Sequence, residues 1–353
     1  MLRLPDFTYI RPRTLAEAAG VLQELGAEAM AVAGGTDVYP KMKRGQFTPR
    51  YLVSLSRVEE HRGIRREEAR GLWIGAGETL TAVAGHATVR REFPALADAA
   101  GLVSTLQLRN AGTIGGNLFV DTRCNYYDQS FFWRQAVGFC LKKDGDICLV
   151  APKSKVCLAI CSSDTAPVLS SLGAEAVLVG AQGSRQVPLE SLYRDDGIDY
   201  LAKRPDELLQ GVWIPEASFG WRNVYLKLRR RGSFDFPVLG VAAALRMGAA
   251  GACEAARIVL TAVASAPKVV EDAPRVLCGR PVDAAAIEEA AELAMRVSHP
   301  LDNADMDYWY RKRMTRVYVT RALRQLADAG ATNAGPEAAP FDRAGKGSHG
   351  GTR

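Results

Sequence analysis

The residues best equipped for chemistry are cysteines. Five of the seven fall between Cys124 and Cys161, spaced Cys124-x15-Cys140-x7-Cys148-x8-Cys157-x3-Cys161, while Cys253 and Cys278 stand apart. In a reducing compartment a crowded, odd-numbered set points to metal or redox chemistry before disulfides. The spacing matches neither a zinc ribbon nor a ferredoxin run. Four converging thiolates suit zinc or a [4Fe–4S] cluster, and sulfur ligation alone does not choose between them. Cys161 is the surplus member. It lies three residues before Asp164, at the end of an apolar stretch, Leu158-Ala159-Ile160, that reads as a strand, and there a thiol serves as small core filling.

Glycines are the second chemical signal. The short apolar run Ala29–Ala33 meets Gly34-Gly35-Thr36-Asp37, where glycine permits positive φ and lets backbone N–H groups approach an anion. Gly112-Thr113-Ile114-Gly115-Gly116-Asn117 repeats the pattern, with a threonine hydroxyl and an asparagine amide able to point at phosphate oxygens. Either alone is as readily a tight packing turn. Neither has Rossmann or Walker spacing, so a bound dinucleotide implies a different fold. His61, His86, His299 and His349 occur singly, without a carboxylate at a telling spacing, so no catalytic residue is expected on this chain. Arg229-Arg230-Arg231 reads as a solvated basic face.

These residues need elements to hold them. Thr14 and Glu17 make a capping-box pattern ahead of Leu15, Ala18, Ala19, Leu22 and Leu25, and Gly26 closes that helix. Tyr51–Leu55 and Leu72–Ala76 read as buried strands, and Glu175–Gly180 with Gln186–Leu189 as a hairpin. Tyr225–Leu228, Val238–Leu245 and Ile258–Val263 read as strands, followed by helices near Ala284–Val297 and Met306–Ala327. Between Asp121 and Ile160 the pattern is irregular for longer than ordinary loops run without a function or a staple. Domain limits follow at 1–56 and 57–216, the latter carrying the cysteine loop 121–160, then an α+β unit at 221–328. A tail at 331–353, too poor in apolar area to offset its ordering entropy, is expected to be disordered.

Composition sets outer limits. At 353 residues, 48% hydrophobic and 24% charged, the chain is ordinary globular material with room for two or three units. No apolar run approaches the ~20 residues that span a bilayer, and the first residues lack a secretory pattern, so a cytoplasmic protein without membrane association is expected. Net charge of +6 is mild and scattered, which argues against nucleic-acid binding.

Ala33-Gly34-Gly35-Thr36-Asp37, the run Gln107–Asn117, and Ser163-Asp164-Thr165-Ala166-Pro167 together resemble the FAD-binding motifs of molybdenum-hydroxylase flavoprotein subunits, to about Ala327. The resemblance implies an α+β fold: a two-subdomain FAD-binding domain of vanillyl-alcohol-oxidase type and a C-terminal domain of the carbon monoxide dehydrogenase flavoprotein type. It further implies that Val32, Ala33, Gly34, Gly35, Thr36, Asp37 and Val38, with Thr113, Ile114, Gly115, Gly116 and Asn117, wrap the diphosphate of non-covalent FAD. Asp164 would sit near ribityl or ribose hydroxyls. Lys227 would lie at the flavin edge, where a cation stabilises reduced, anionic flavin.

Thr122–Gln129, Gly138–Asp146 and Val150-Ala151-Pro152 resemble one branch of that family, the 4-hydroxybenzoyl-CoA reductases, whose relatives lack the cysteine loop. For this branch the resemblance implies a [4Fe–4S] cluster on Cys124, Cys140, Cys148 and Cys157, placed between a ferredoxin-like donor and FAD. It also implies a molybdopterin-binding large subunit, a [2Fe–2S] small subunit, and a dimer of such three-subunit units. Tyr126 and Tyr127 pack around a cluster or simply pack the loop; the residues alone leave both open.

Overall fold

The computed structural model describes residues 2–249 and 251–328. The expected tail from Ala331 lies outside the described residues. Three sheets organise the chain. The first is parallel, with Tyr51–Ser54 between Thr8–Ile10 and Ala29–Val32. The helix Leu15–Leu25 begins where Thr14 Oγ1 accepts the Glu17 N–H at 3.0 Å, while the Glu17 carboxylate reaches back to the Arg13 N–H at 2.7 Å. Its buried face of Leu15, Ala18 and Leu22 packs with Val53, Leu55, Val58 and Leu208, the last from the second sheet, which fastens the two units together.

The second sheet is antiparallel, in the order Ile64–Glu67, Gly71–Gly75, Leu208–Pro215, Glu175–Gly180, Gly183–Pro188. Helices Leu80–Gly85, Ala87–Glu92, Pro94–Gly101 and Thr165–Ser171 supply the rest of its core, with Phe93, Leu96, Val168 and Leu169 packed against Leu72, Ile74, Val212 and Ile214. Leu208–Pro215 escapes a reading by pattern because Gly211 and Pro215 look like punctuation. Gly211 is there because a Cβ would strike the Trp73 ring and, at 2.6 Å, the Ile74 carbonyl of the neighbouring strand.

The third sheet, Arg222–Leu228, Leu239–Met247, Cys253–Thr261 and Lys268–Val269, is antiparallel and backed by helices Ala284–Val297 and Tyr308–Asp328. The stretch Leu158–Cys161, expected as a strand, is not one. Ile160 makes a single antiparallel bridge to Arg123, and the Cys161 backbone is held by the Ala264 carbonyl and the Ala262 N–H. Too few neighbouring backbone groups align there to extend a ladder. Among the described residues no helix is long and apolar enough to cross a membrane.

Arg311 ties the last helix to this sheet. It is fully buried, and its guanidinium donates to the carbonyls of Val238 at 2.9 Å, Leu301 at 2.9 Å and Ala262. Burial pushes its pKa down to about 10, with Asp302 and Asp305 opposing. Arg311→Met should destabilise the chain by about 2 kcal/mol or more, because three buried acceptors lose their donor. Urea unfolding followed by far-UV circular dichroism checks this; an unchanged midpoint would show that the carbonyls find other partners.

Candidate functional site

A cleft of about 550 Å³ runs between the first two sheets and reaches Phe234, Asp235 and Phe236 of the third unit. Of the residues expected there, Ala33, Gly34, Gly35, Thr36, Asp37 and Val38 line it, as do Thr113, Gly115, Gly116, Asn117 and Asp164. Val32 and Ile114 are instead buried among apolar side chains, and Lys227 sits behind Asp164.

The two glycine turns are not equivalent. In the first, among the described residues, the backbone N–H groups of 33–37 donate to no protein acceptor, and Gly35 has φ of +72°. That is a strip of free donors along a cleft wall, the arrangement that binds an anion. A Cβ on Gly34 would collide with the Ala111 carbonyl, and one on Gly35 with the Tyr39 ring. In the second turn the donors are already engaged: Ile114 N–H with Glu78 O, Gly115 N–H with Ala76 O, and Gly116 N–H with Thr113 Oγ1. Asn117 Oδ1 accepts from Ser163 Oγ, Thr165 Oγ1 and the Thr165 N–H. So this turn is mainly a rigid wall, and Gly115 is required because a Cβ would lie 2.7 Å from that of Ala76.

At one end of the cleft Asp164 is buried, paired with Lys227 Nζ at 3.0 Å and accepting the Tyr225 hydroxyl at 2.7 Å. Lys227 also donates to the Leu102 and Asp235 carbonyls, both at 3.1 Å, which occupies all three of its protons. It is therefore neither a solvated strand lysine nor a free cation. Burial pushes the Asp164 carboxyl above its usual range, with Lys227 and then Tyr225 pulling it back. Phe234, at positive φ, hydrogen-bonds through its N–H to Ser104, also at positive φ, beside this end.

Several lining groups escaped sequence reading because nothing local marks them. His61 is buried against Gly77, and burial pushes its pKa down. Arg123 pairs with Asp37 and, at 3.2 Å, with Asp128, while its Nε has no partner. Lys41, 1% exposed, pairs with Asp121 at 2.5 Å. Only a one-turn offset from Asp37 hinted that Lys41 faces the same way.

Behind Asp121 lies a second, smaller cavity. It is ringed by Cys124, Cys140, Cys148 and Cys157, with Tyr126, Tyr127 and Lys142. All four thiols are buried. Cys161 lies elsewhere, accepting the Thr261 hydroxyl through its carbonyl. Among the described residues no three or more potential ligands are drawn together tightly enough to hold a single metal ion; the four thiols surround a space. Burial pushes the Cys124 thiol up to about 12 and the Cys157 thiol to about 11, so thiolates at neutral pH require a positive partner inside the ring. The loop is stapled to the first unit by Arg134, fully buried, which donates to the Arg44 and Gly45 carbonyls and pairs with Asp144 at 3.4 Å. Gln46 adds a hydrogen bond to the Tyr127 carbonyl at 2.7 Å.

Fold and cleft together define a nucleotide-cofactor protein of two α+β halves with a third α+β unit closing one end. The model of the FAD binding domain in molybdopterin dehydrogenase matches residues 5–217, and that of the CO dehydrogenase flavoprotein C-terminal domain matches 223–326. The carbon monoxide dehydrogenase medium chain of Afipia carboxidovorans is 31% identical over 320 residues, covering 91% of this chain and 96% of its own. The aldehyde oxidoreductase FAD-binding subunit PaoB of Escherichia coli K12 is 32% identical over 276 residues, covering 76% and 84%. The reconstituted CO dehydrogenase structure from Oligotropha carboxidovorans superposes with a TM-score of 0.76 at 29% identity, covering 92% of this chain and 99% of the matched one. The chain belongs to the family of FAD-binding medium subunits of molybdenum hydroxylases. Its fold is the one the motifs implied.

Gly35→Val should lower flavin content several-fold while leaving the fold largely intact, because a β-branched residue is strained at this φ by roughly 1–2 kcal/mol and its Cβ collides with the Tyr39 ring, so the turn that lines the cleft must shift. Flavin absorbance per chain, beside circular dichroism, checks this; full flavin occupancy would show that the turn is only a packing device.

Proposed function

We propose that this chain is the FAD- and [4Fe–4S]-carrying electron-transfer subunit of a molybdenum-dependent 4-hydroxybenzoyl-CoA reductase. The observation that carries this reading beyond the family is the ring of Cys124, Cys140, Cys148 and Cys157 one ion pair away from the cofactor cleft. In this reading residues 1–56 and 57–216 form the two halves of the FAD site, 121–160 the cluster loop, and 221–328 the closing unit.

Bound FAD supplies one- and two-electron redox chemistry, and a [4Fe–4S] cluster one-electron chemistry. The chain's own residues bind, orient and insulate. The unpartnered N–H strip of 33–37 suits a diphosphate, with Gly34 and Gly35 keeping side chains out of its way. Asp164 presents a buried carboxyl to hydroxyls of the cofactor. Lys227 acts one atom layer back, setting the charge and position of Asp164 instead of touching the flavin edge itself. The four cysteines would hold the cluster, with Leu141, Leu149, Val150, Leu158 and Ala159 lining the rest of the pocket.

Partners follow from this division of labour. A ferredoxin-like donor delivers electrons at the cysteine loop, and the chain passes them through its two cofactors to a [2Fe–2S] small subunit and a molybdopterin-binding large subunit, where a ring hydroxyl is removed. An FAD subunit of another molybdenum hydroxylase, acting on an aromatic or N-heterocyclic substrate, fits the family match equally well; the substrate turned over by the assembled complex separates the two.

Cys140→Ser and Cys148→Ser should each abolish iron on this chain while leaving FAD in place, and Cys161→Ser should remove neither, since its thiol lies outside the ring. Iron, zinc and flavin assays per chain, with a visible spectrum, check this. Zinc in place of iron in the parent protein would replace the cluster with a structural staple. Iron loss from Cys161→Ser with retention in Cys157→Ser would reassign the fourth ligand.

A further inference from the structure

The wall between the cleft and the thiol ring is built of buried charge. Asp121 Oδ2 pairs with Lys41 at 2.5 Å and Oδ1 with Lys142 at 2.8 Å, with side chains 8%, 1% and 6% exposed respectively. Lys41 and Asp121 line the cleft; Lys142 lines the thiol cavity. The same network continues through Asp128, which meets Lys41 at 3.6 Å, Arg123 at 3.2 Å and Arg44 at 4.0 Å, and ends at the Arg123–Asp37 pair. Four cations thus face three carboxylates; Arg44 is the one at the solvent edge, 39% exposed, and the more enclosed part of the network sets Lys41, Lys142 and Arg123 against Asp121, Asp128 and Asp37.

Lys142 is aimed and fixed. Its ammonium donates to Asp121, to Thr122 Oγ1 at 2.7 Å and to the Gly197 carbonyl. Gly197 in turn donates to the Cys157 carbonyl at 2.7 Å, and a Cβ there would lie 2.7 Å from Cys157 Sγ, so the lysine is anchored to the segment touching one of the four thiols. The Tyr127 ring fills the space between the two ammonium groups, 4.6 Å from Lys41 Nζ and 4.9 Å from Lys142 Nζ. A fixed cation in such a site exerts far more influence than one at the surface.

We propose that Lys142 is the built-in counter-cation of the four-cysteine site, and that Asp121, shared with Lys41, couples the charge of that site to the flavin cleft. Lys142 is a positioning and charge-setting residue, and the assignment rests on the cluster reading above. Adding one electron deepens the negative charge inside the thiol ring, so a cation fixed against the ring raises the midpoint potential there.

The test uses the full chain purified without oxygen, with iron and FAD counted and the cluster midpoint measured by potentiometric titration followed by electron paramagnetic resonance. Lys142→Met should keep iron and FAD yet weaken the reduction equilibrium of the cluster about tenfold, or about 59 mV for one electron; Lys142→Arg should restore it. Asp121→Asn should shift both the cluster midpoint and flavin retention, and Lys41→Met should disturb flavin retention while moving the cluster midpoint in the same direction as Lys142→Met but by less. An unchanged midpoint in iron-loaded Lys142→Met overturns the assignment. Iron loss in Lys142→Met supports it when Lys142→Arg keeps both iron and the parent midpoint, since arginine retains the positive charge that methionine removes; a shifted midpoint in Lys142→Arg, or iron loss in both, overturns it, reducing Lys142 to a structural clamp. A parent chain that takes up no iron overturns the cluster reading and this assignment with it, and the iron assay shows that before any variant is compared.

Discussion

The backbone at Gly34 lies so near the Ala111 carbonyl that no side chain fits between them, and through this approach a turn of the first unit meets a turn of the second. The cleft exists because two turns can touch without intervening atoms. Thr36 Oγ1 lies 3.4 Å from where a Gly112 Cβ would be, an ordinary contact across the same seam. Among the described residues the N–H groups of 33–37 beside this contact donate to no protein acceptor, and these residues line the cleft. Binding capacity here follows from steric necessity: groups that cannot be satisfied within the fold are left for a ligand.

A second constraint is electrostatic. Lys41, Asp121 and Lys142 are too well buried to be left alone, and each tolerates its position only because the others are charged beside it. Burial alone would raise the Asp121 carboxyl; Lys142 and Lys41 outweigh it and hold the group below the usual carboxylate range. The loop carrying the cysteines has one short helix, Phe131–Ala136, and no sheet of its own. Its position is set by charge and by Arg134, not by a ladder of backbone hydrogen bonds.

What the sequence disclosed follows from what is local. The helices from Leu15 and from Ala284 carry their own periodicity and caps and stand where their patterns put them, and the hairpin from Glu175 forms with its second strand starting at Gly183, three residues before Gln186. The glycine motifs were visible for the same reason, since adjacent glycines next to a strand are a local statement. The strand Leu208–Pro215 was hidden because Gly211 answers to Trp73, more than a hundred residues away. Lys41 and His61 were hidden likewise: their roles depend on Asp121 and Gly77, contacts that no spacing rule anticipates. Lys227 was found by motif, but its standing behind Asp164 could only come from three dimensions.

The cysteine loop leaves and re-enters the fold at almost one point. Arg123 and Ile160 face each other in a lone antiparallel bridge, with hydrogen bonds of 2.9 and 2.7 Å in the two directions. A segment whose two ends meet in this way is closed at its base, so its ends are fixed relative to each other whatever lies between them. Lys142 and the four thiols travel on the same closed segment, so the ammonium that faces Asp121 and the thiol ring are carried by one piece of chain.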